Sequence, residues 1–313
     1  MAQHQKSIAV LGSLNIDFVT RTARIPSAGE TLTATSFTTG YGGKGANQAV
    51  AASRLSPSSI TTSMVGRVGS DAFGTEYISA LSSAGVDTSR ITRVEGQRTG
   101  VANIIVEHGG ENRILLAPNA NHAETQLDQG GADVVVYQLE IPVGQVVASL
   151  AEARRRGAYT LLNPAPAVEP PKRVWGDVDC VVLNETEAEI LCGEGEWEKV
   201  FFDRGVRDLV VLTLGKDGVR FVTKGSGEVV SVSARKVKEV VDTTAAGDTF
   251  VGALAAKIAE NDGRTGDKAR EYIDFANAAA ALTVQKNGAM DSIPTLNEVL
   301  ASINLNTKDP SHC

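Results

Sequence analysis

Asp248 stands directly behind Gly247 in the run Asp242-Thr-Thr-Ala-Ala-Gly-Asp-Thr-Phe250. Phe250, Val251, Leu254 and Ile258 recur at helical spacing, which predicts a helix with Asp248 in its first turn. Ala245, Ala246 and Gly247 lack bulk, and a helix start leaves backbone N–H groups without intrahelical partners. Such a terminus attracts negative charge. A carboxylate there can accept a proton from a hydroxyl while the amides hold the charge developing on a phosphoryl group. The bland alternative is an acidic residue that merely suits a helix start.

Other segments carry polar groups of related use. In Gly40-Tyr-Gly-Gly-Lys-Gly-Ala-Asn47-Gln the glycines, Gly42 and Gly43 among them, let backbone approach a ligand. The spacing fits neither a Walker loop nor a dinucleotide fingerprint, and a tight turn explains the cluster equally well. Lys44 is either an exposed charge or a partner for a transferring phosphoryl group. Asn15 and Asp17, two apart after the first predicted strand, project to one side of an extended chain. They could bind adjacent sugar hydroxyls or form an Asx turn. Glu140 follows the apolar run 134–137, where a parallel strand delivers functional groups, although taken alone it more readily reads as a cap for the next helix. Asn184 and Glu187 have capping-box spacing, with Mg²⁺ contact through water as the functional alternative for Glu187. Thr213-Leu-Gly-Lys-Asp-Gly218 ends a strand in glycines suited to nucleotide contact, whereas Asn277 among alanines suggests close helix packing.

The elements that must position these groups alternate. Apolar runs at 8–11, 60–65, 134–137, 159–162, 178–183 and 209–214 predict strands, several continuous in Val, Ile and Leu as in buried parallel sheets. Helical patterns at 45–55, 73–84, 143–156 and 185–191 lie between them. The expected fold is α/β, a doubly wound, mostly parallel central sheet flanked by helices, with ligands at the strands' carboxyl ends. Two regions break the alternation: 18–40, rich in Thr and Ser, and 100–117, which reads as a hairpin of 101–106 and 113–116 turning through 108–112. They predict a small inserted β-sheet, as a lid or an oligomerisation surface.

The 313 residues, 42% hydrophobic and 21% charged, describe a folded globular chain. A net charge of −7 without a basic stripe argues against a nucleic-acid partner, and the apolar runs are too short to suggest a membrane span. Cys180, Cys192 and Cys313 show no metal spacing, and their odd number fits a reduced cytoplasmic setting, with nuclear access left open.

Nine segments give the whole a finer reading: GSLNID, GGKGANQAVAA, YQLE, LNPAPA, NETEAE, TLGKDG, DTTAAGDTF, FANAAAA and KNGAMDSIP, in this order across 8–294. In them the chain resembles the ribokinase branch of the PfkB carbohydrate-kinase family. The resemblance implies a kinase body (1–17, 41–98 and 118–303) and a β lid (18–40 and 99–117) that often pairs two subunits as a homodimer; the terminal segment 304–313 reads as a loose tail. It implies ATP-dependent phosphorylation of D-ribose at its 5-hydroxyl, with Mg²⁺ accompanying ATP. By resemblance, Asp248 is the base and Ala245, Ala246 and Gly247 supply anion-hole amides. Asn15, Asp17, Gly42, Gly43, Asn47 and Glu140 match sugar contacts, with Lys44 near the phosphates. Asn184, Thr213, Leu214, Gly215, Lys216, Asp217, Gly218 and Asn277 match nucleotide contacts. An activating K⁺ is implied beside Asp242, Thr244, Thr283, Lys286, Gly288 and Ser292, through side-chain or carbonyl oxygens. Asn103 and Arg113 depart from the apolar lid interior that the resemblance leads one to expect. A sugar or nucleotide sensor without catalysis is the rival of another class, and it would need no base at Asp248.

Overall fold

Val- and Leu-rich runs assemble into a nine-stranded sheet in the computed structural model, which describes residues 5–109, 111–263 and 265–306. Among these residues the strands are β1 (Ser7–Leu11), β2 (Asn15–Thr22), β3 (Ser36–Gly42), β4 (Thr61–Gly69), β5 (Ile91–Val94), β6 (Gly100–Glu107), β7 (Asn112–Ala117), β8 (Val134–Tyr137), β9 (Tyr159–Leu162), β10 (Cys180–Asn184), β11 (Leu209–Thr213), β12 (Val219–Thr223) and β13 (Val229–Val232). The helices are α1 (Lys44–Leu55), α2 (Ala72–Ser83), α3 (Val143–Arg155), α4 (Glu185–Cys192), α5 (Trp197–Arg204), α6 (Ala246–Glu260), α7 (Ala269–Thr283) and α8 (Leu296–Asn306).

The large sheet runs β13-β12-β11-β10-β9-β8-β1-β4-β5, parallel from β11 to β5, with β12 and β13 added antiparallel at one edge. Both faces of β8 and β9 are buried, which explains their unbroken apolar sequence. Register aligns the strand ends: Leu11 lies between Val65 and Tyr137, and Tyr137 beside Leu162. The segments that begin at Gly12, Gln138 and Asn163 therefore leave the sheet at one edge, side by side.

One face of the sheet packs against α1, α2, α6, α7 and α8, the other against α3, α4 and α5 around Trp175 and Phe201. On the first face, α1 and α6 touch at backbone distance. A Cβ at Gly252 would lie 2.7 Å from both Ala52 N and Gln48 O, so glycine and the alanine-rich faces permit the contact. This closeness brings the start of α6 beside α1.

A second sheet, β3-β2-β6-β7, pairs β2 antiparallel with β3 and parallel with β6, and β6 antiparallel with β7. The predicted 101–116 hairpin is present. Strand pairing crosses the boundaries expected at 17/18 and 40/41, because Asn15 pairs with both Gly42 and Gly100 and so starts the sheet three residues early. Asn103 and Arg113 are exposed, Arg113 in an ion pair with Glu107 at 2.8 Å. At the C-terminus α8 runs through Asn306, so 304–306 are helical rather than tail. Residues 307–313, Cys313 included, lie outside the described residues. No helix among the described residues is long and apolar enough to cross a membrane.

Candidate active site

The α6 start is sharply formed. Ala245 adopts a left-handed conformation (φ 60, ψ 5), which turns the loop abruptly into the helix. The Ala246 N–H reaches Thr243 O at 3.3 Å, whereas those of Gly247 and Asp248 have no partner among the described residues. Ala245 through Asp248 line a cavity of about 850 Å³. Asp248 is 8% exposed, and both its oxygens are held: Asn47 Nδ2 donates to Oδ2 at 3.0 Å and Gln48 Nε2 to Oδ1 at 2.9 Å. The carboxylate is thereby locked in rotation next to unpaired amides.

Gln48 had no role in the sequence reading. Its Nε2 also donates to Asn163 Oδ1 (3.1 Å), its Oε1 accepts from Gln138 Nε2 (2.6 Å), and Asn163 Nδ2 ends the chain on Val182 O (3.0 Å). The available signal was an amide within a run of small apolar residues and two more just past strand ends. A hydrogen bond to a charged group contributes roughly 1.5–3 kcal/mol. Gln48→Met is therefore expected to lower turnover by about tenfold or more with the KM for ATP little changed, as read by steady-state kinetics.

On the α1 side, Glu140 Oε2 accepts from Ser13 Oγ at 2.5 Å and from the Lys44 N–H at 3.0 Å. It does not cap α3, whose N-cap Pro142 has no side-chain bond, so the capping alternative is corrected. Asn15 forms no Asx turn; its side chain pairs with Asn121 from within β2. The Asp17 carboxylate packs over Gly42, where a Cβ would fall 2.1 Å from Asp17 Oδ2, and the Tyr77 hydroxyl donates to Gly42 O. Burial, then the neighbouring charges of Glu140 and Asp248, push Asp17 up to about 7. Burial works against the Lys44 ammonium, yet Asp248, Glu140 and Glu187 outweigh it and leave that group above its ordinary value. Acceptor-only carboxylates, amides and one cation suit a ligand rich in hydroxyls next to an anion.

The cavity extends away from Asp248 along Asn184, Glu187, Thr213, Gly215, Lys216, Gly218 and Asn277, while Leu214 and Asp217 are not on its wall. Asn277 also ties α7 to Ser233 O at 2.8 Å. The capping box of Asn184 and Glu187 is formed, and Glu187 lines the cavity as well. Burial raises Glu187, against the Asn184 hydrogen bond and Lys44. The apolar strip Ala234, Val237 and Val240 went unread because it lies in a loop without periodicity.

Residues 5–296 match the description "pfkB family carbohydrate kinase". The chain belongs to that family. It is 42% identical to the ribokinase of Schizosaccharomyces pombe, over 96% of this chain and 98% of the relative. It is 37% identical to the ribokinase of Haemophilus influenzae, over 95% and 98% respectively. The solved structure of Arabidopsis thaliana ribokinase complexed with ribose and ATP is similar to it at a TM-score of 0.86 and 30% identity, over 96% of this chain and 99% of that one.

Within this pfkB-family chain Asp242 joins the loops named for the cation. Its oxygens accept the Thr244 N–H (2.9 Å) and the Gly288 N–H (3.0 Å). Burial raises the carboxyl, but the Thr244 and Gly288 hydrogen bonds and Arg21 prevail and hold it below its usual range. Thr283 Oγ1 donates to Thr249 Oγ1, the Lys286 N–H to Thr283 O, and Ser292 Oγ to Ala289 O. No group of three His, Cys, Asp or Glu suited to a metal is present among the described residues, so a cation here would meet one carboxylate, Asp242, and otherwise carbonyl and hydroxyl oxygens.

Proposed function

We propose that this chain phosphorylates D-ribose with ATP at the 5-hydroxyl, giving D-ribose 5-phosphate and ADP. One observation carries the reading: a fixed carboxylate, Asp248, beside unpaired helix-start amides, between a hydroxyl-binding set and a cavity large enough for a nucleotide. Asn15, Asp17, Gly42, Gly43, Asn47 and Glu140 hold the sugar. Asp248 takes the hydroxyl proton as the oxygen attacks the γ-phosphorus in line. The amides of Ala245, Gly247 and Asp248 and the Lys44 ammonium hold charge on the transferring group, the Ala246 N–H being taken by Thr243 O, so positioning and electrostatics supply the catalysis. Mg²⁺ bound with ATP would be held by phosphate oxygens and, through water, by Glu187, and would neutralise phosphate charge. Oxygens of Asp242, Thr244, Thr283, Lys286, Gly288 and Ser292 would hold K⁺ and stiffen the loop before α6.

The second sheet serves as a lid. Phe37, Ile114, Leu115 and Leu116 expose apolar surface on β3 and β7, which supports a homodimer formed through it. The free Cys180, buried, and Cys192, half-buried, suit a reducing cytoplasm.

A panel of unphosphorylated sugars with Mg·ATP, run in K⁺ and in Na⁺ at equal ionic strength, tests this. Ribose is expected to react fastest, and K⁺ to raise turnover several-fold over Na⁺. Preference for another pentose, a nucleoside or a hexose would overturn the substrate; equal rates in both salts would overturn the cation site.

A further inference from the structure

A side-chain amide has a donor end and an acceptor end, and the end that Asn15 offers decides what it can bind. The main chain fixes that choice. Asn121 is 1% exposed; its Oδ1 accepts the Leu14 N–H at 2.9 Å and its Nδ2 donates to the Leu14 carbonyl at 3.0 Å. A backbone N–H only donates and a carbonyl only accepts, so the Asn121 amide has one orientation. Its Nδ2 donates in addition to Asn15 Oδ1 at 2.8 Å, across 106 residues of sequence. Asn15 thus commits its acceptor to Asn121. Its Nδ2 has no hydrogen bond among the described residues and is not sealed from solvent.

The clasp is itself supported. A Cβ at Gly100 would lie 2.2 Å from Asn121 Nδ2 and 2.4 Å from Asn15 Oδ1, so any side chain there would wedge the amides apart. Arg67, 1% exposed, donates to Asn121 O at 3.4 Å and to Thr125 Oγ1 at 2.6 Å, pinning the segment Asn119–His122 to β4.

We propose that Asn121 is a positioning residue of the sugar subsite, whose grip on Leu14 and Asn15 makes Asn15 a donor to a sugar hydroxyl oxygen. The inference rests on the reading of Asn15 as a sugar contact. Asp17, two residues on, is an acceptor when ionised. A hydroxyl can satisfy both groups at once, accepting from Asn15 and donating to Asp17. A carbonyl satisfies only the first, and a deoxy carbon neither.

Asn121→Asp tests it. The substitution keeps shape and an acceptor for the Leu14 N–H but removes the donor. Asn15 must then turn its N–H to the new carboxylate and its carbonyl to the sugar. The expected result is a rise in the KM for ribose of about tenfold or more, with kcat and the KM for ATP within about threefold. In an Asn15→Ala background the same change should add nothing further. An unchanged ribose KM overturns the proposal, as does a uniform loss in kcat and both KM values with a lowered Tm. If Asn121→Asp does not fold, Gly100→Ala separates the amides with every polar group retained, and the same outcomes decide. An Asn15→Ala variant with normal ribose KM would instead sink the reading of Asn15 itself.

Discussion

Asp248→Asn is expected to lower kcat by roughly 10²–10⁴-fold, the range for losing a positioned general base, with the KM for ATP nearly unchanged. The pocket can accept the amide. Its NH₂ end would face the N–H of Asn47 or Gln48, and Asn47 can rotate to answer because its own Oδ1 is buried without a partner among the described residues. Gln48 cannot, since Gln138 and Asn163 fix its direction. Loss of turnover with intact folding and nucleotide binding thus isolates proton removal from the anion-holding amides. Near-normal turnover would remove Asp248 from the mechanism.

The second large effect combines binding and stability at Asp17. Its carboxyl titrates at about 7, well above the ordinary 3.8, because burial and two neighbouring carboxylates oppose the charge. In the folded state the group is protonated below neutrality, so kcat/KM for ribose should fall as pH drops through about 7 if the sugar needs a carboxylate acceptor. The linkage runs the other way for stability. With the folded value raised, the favourable contribution is full below about 3.8 and is lost as pH rises through about 7. Asp17→Asn escapes that loss, gaining up to roughly 4 kcal/mol above pH 7 and little near pH 4. The ribose KM should meanwhile rise about a hundredfold, as for a buried charged hydrogen bond removed from a ligand. Denaturant titrations at pH 5 and 8, paired with ribose kinetics, check both halves; equal stability of variant and parent at pH 8 would contradict the shift.

The central strands were legible because burial on both faces demands unbroken Val, Ile and Leu, as in β8 and β9. The edge strands β12 and β13 were not. Each is a short run, and only antiparallel pairing, of β12 with β11 and of β13 with β12, makes them strands. Asp248 was legible from the small residues before a helical repeat, and Glu140 from its place after a strand. Their partners were hidden for different reasons. Asn121 reaches Asn15 from 106 residues away, which no local pattern records, and Gln48 looks like a stray polar residue until α6 lies against it. Placement offered base and sugar contact only as one of two readings each, and the resemblance chose between them.

Strand β2 starts at Asn15, in the site, and carries Asp17 two residues along before running outward to Thr22. At roughly 3.3 Å per residue it spans about 23 Å, so a tilt about Asn15 would act through a long arm. A tilt of roughly ten degrees would swing the tip by about 4 Å and Asp17 by only about 1 Å. An ångström is enough to make or break a hydrogen bond, so if Asp17 holds a hydroxyl as proposed, whatever grips the far end of this arm would be geared to that contact with a reduction of about 3.5-fold.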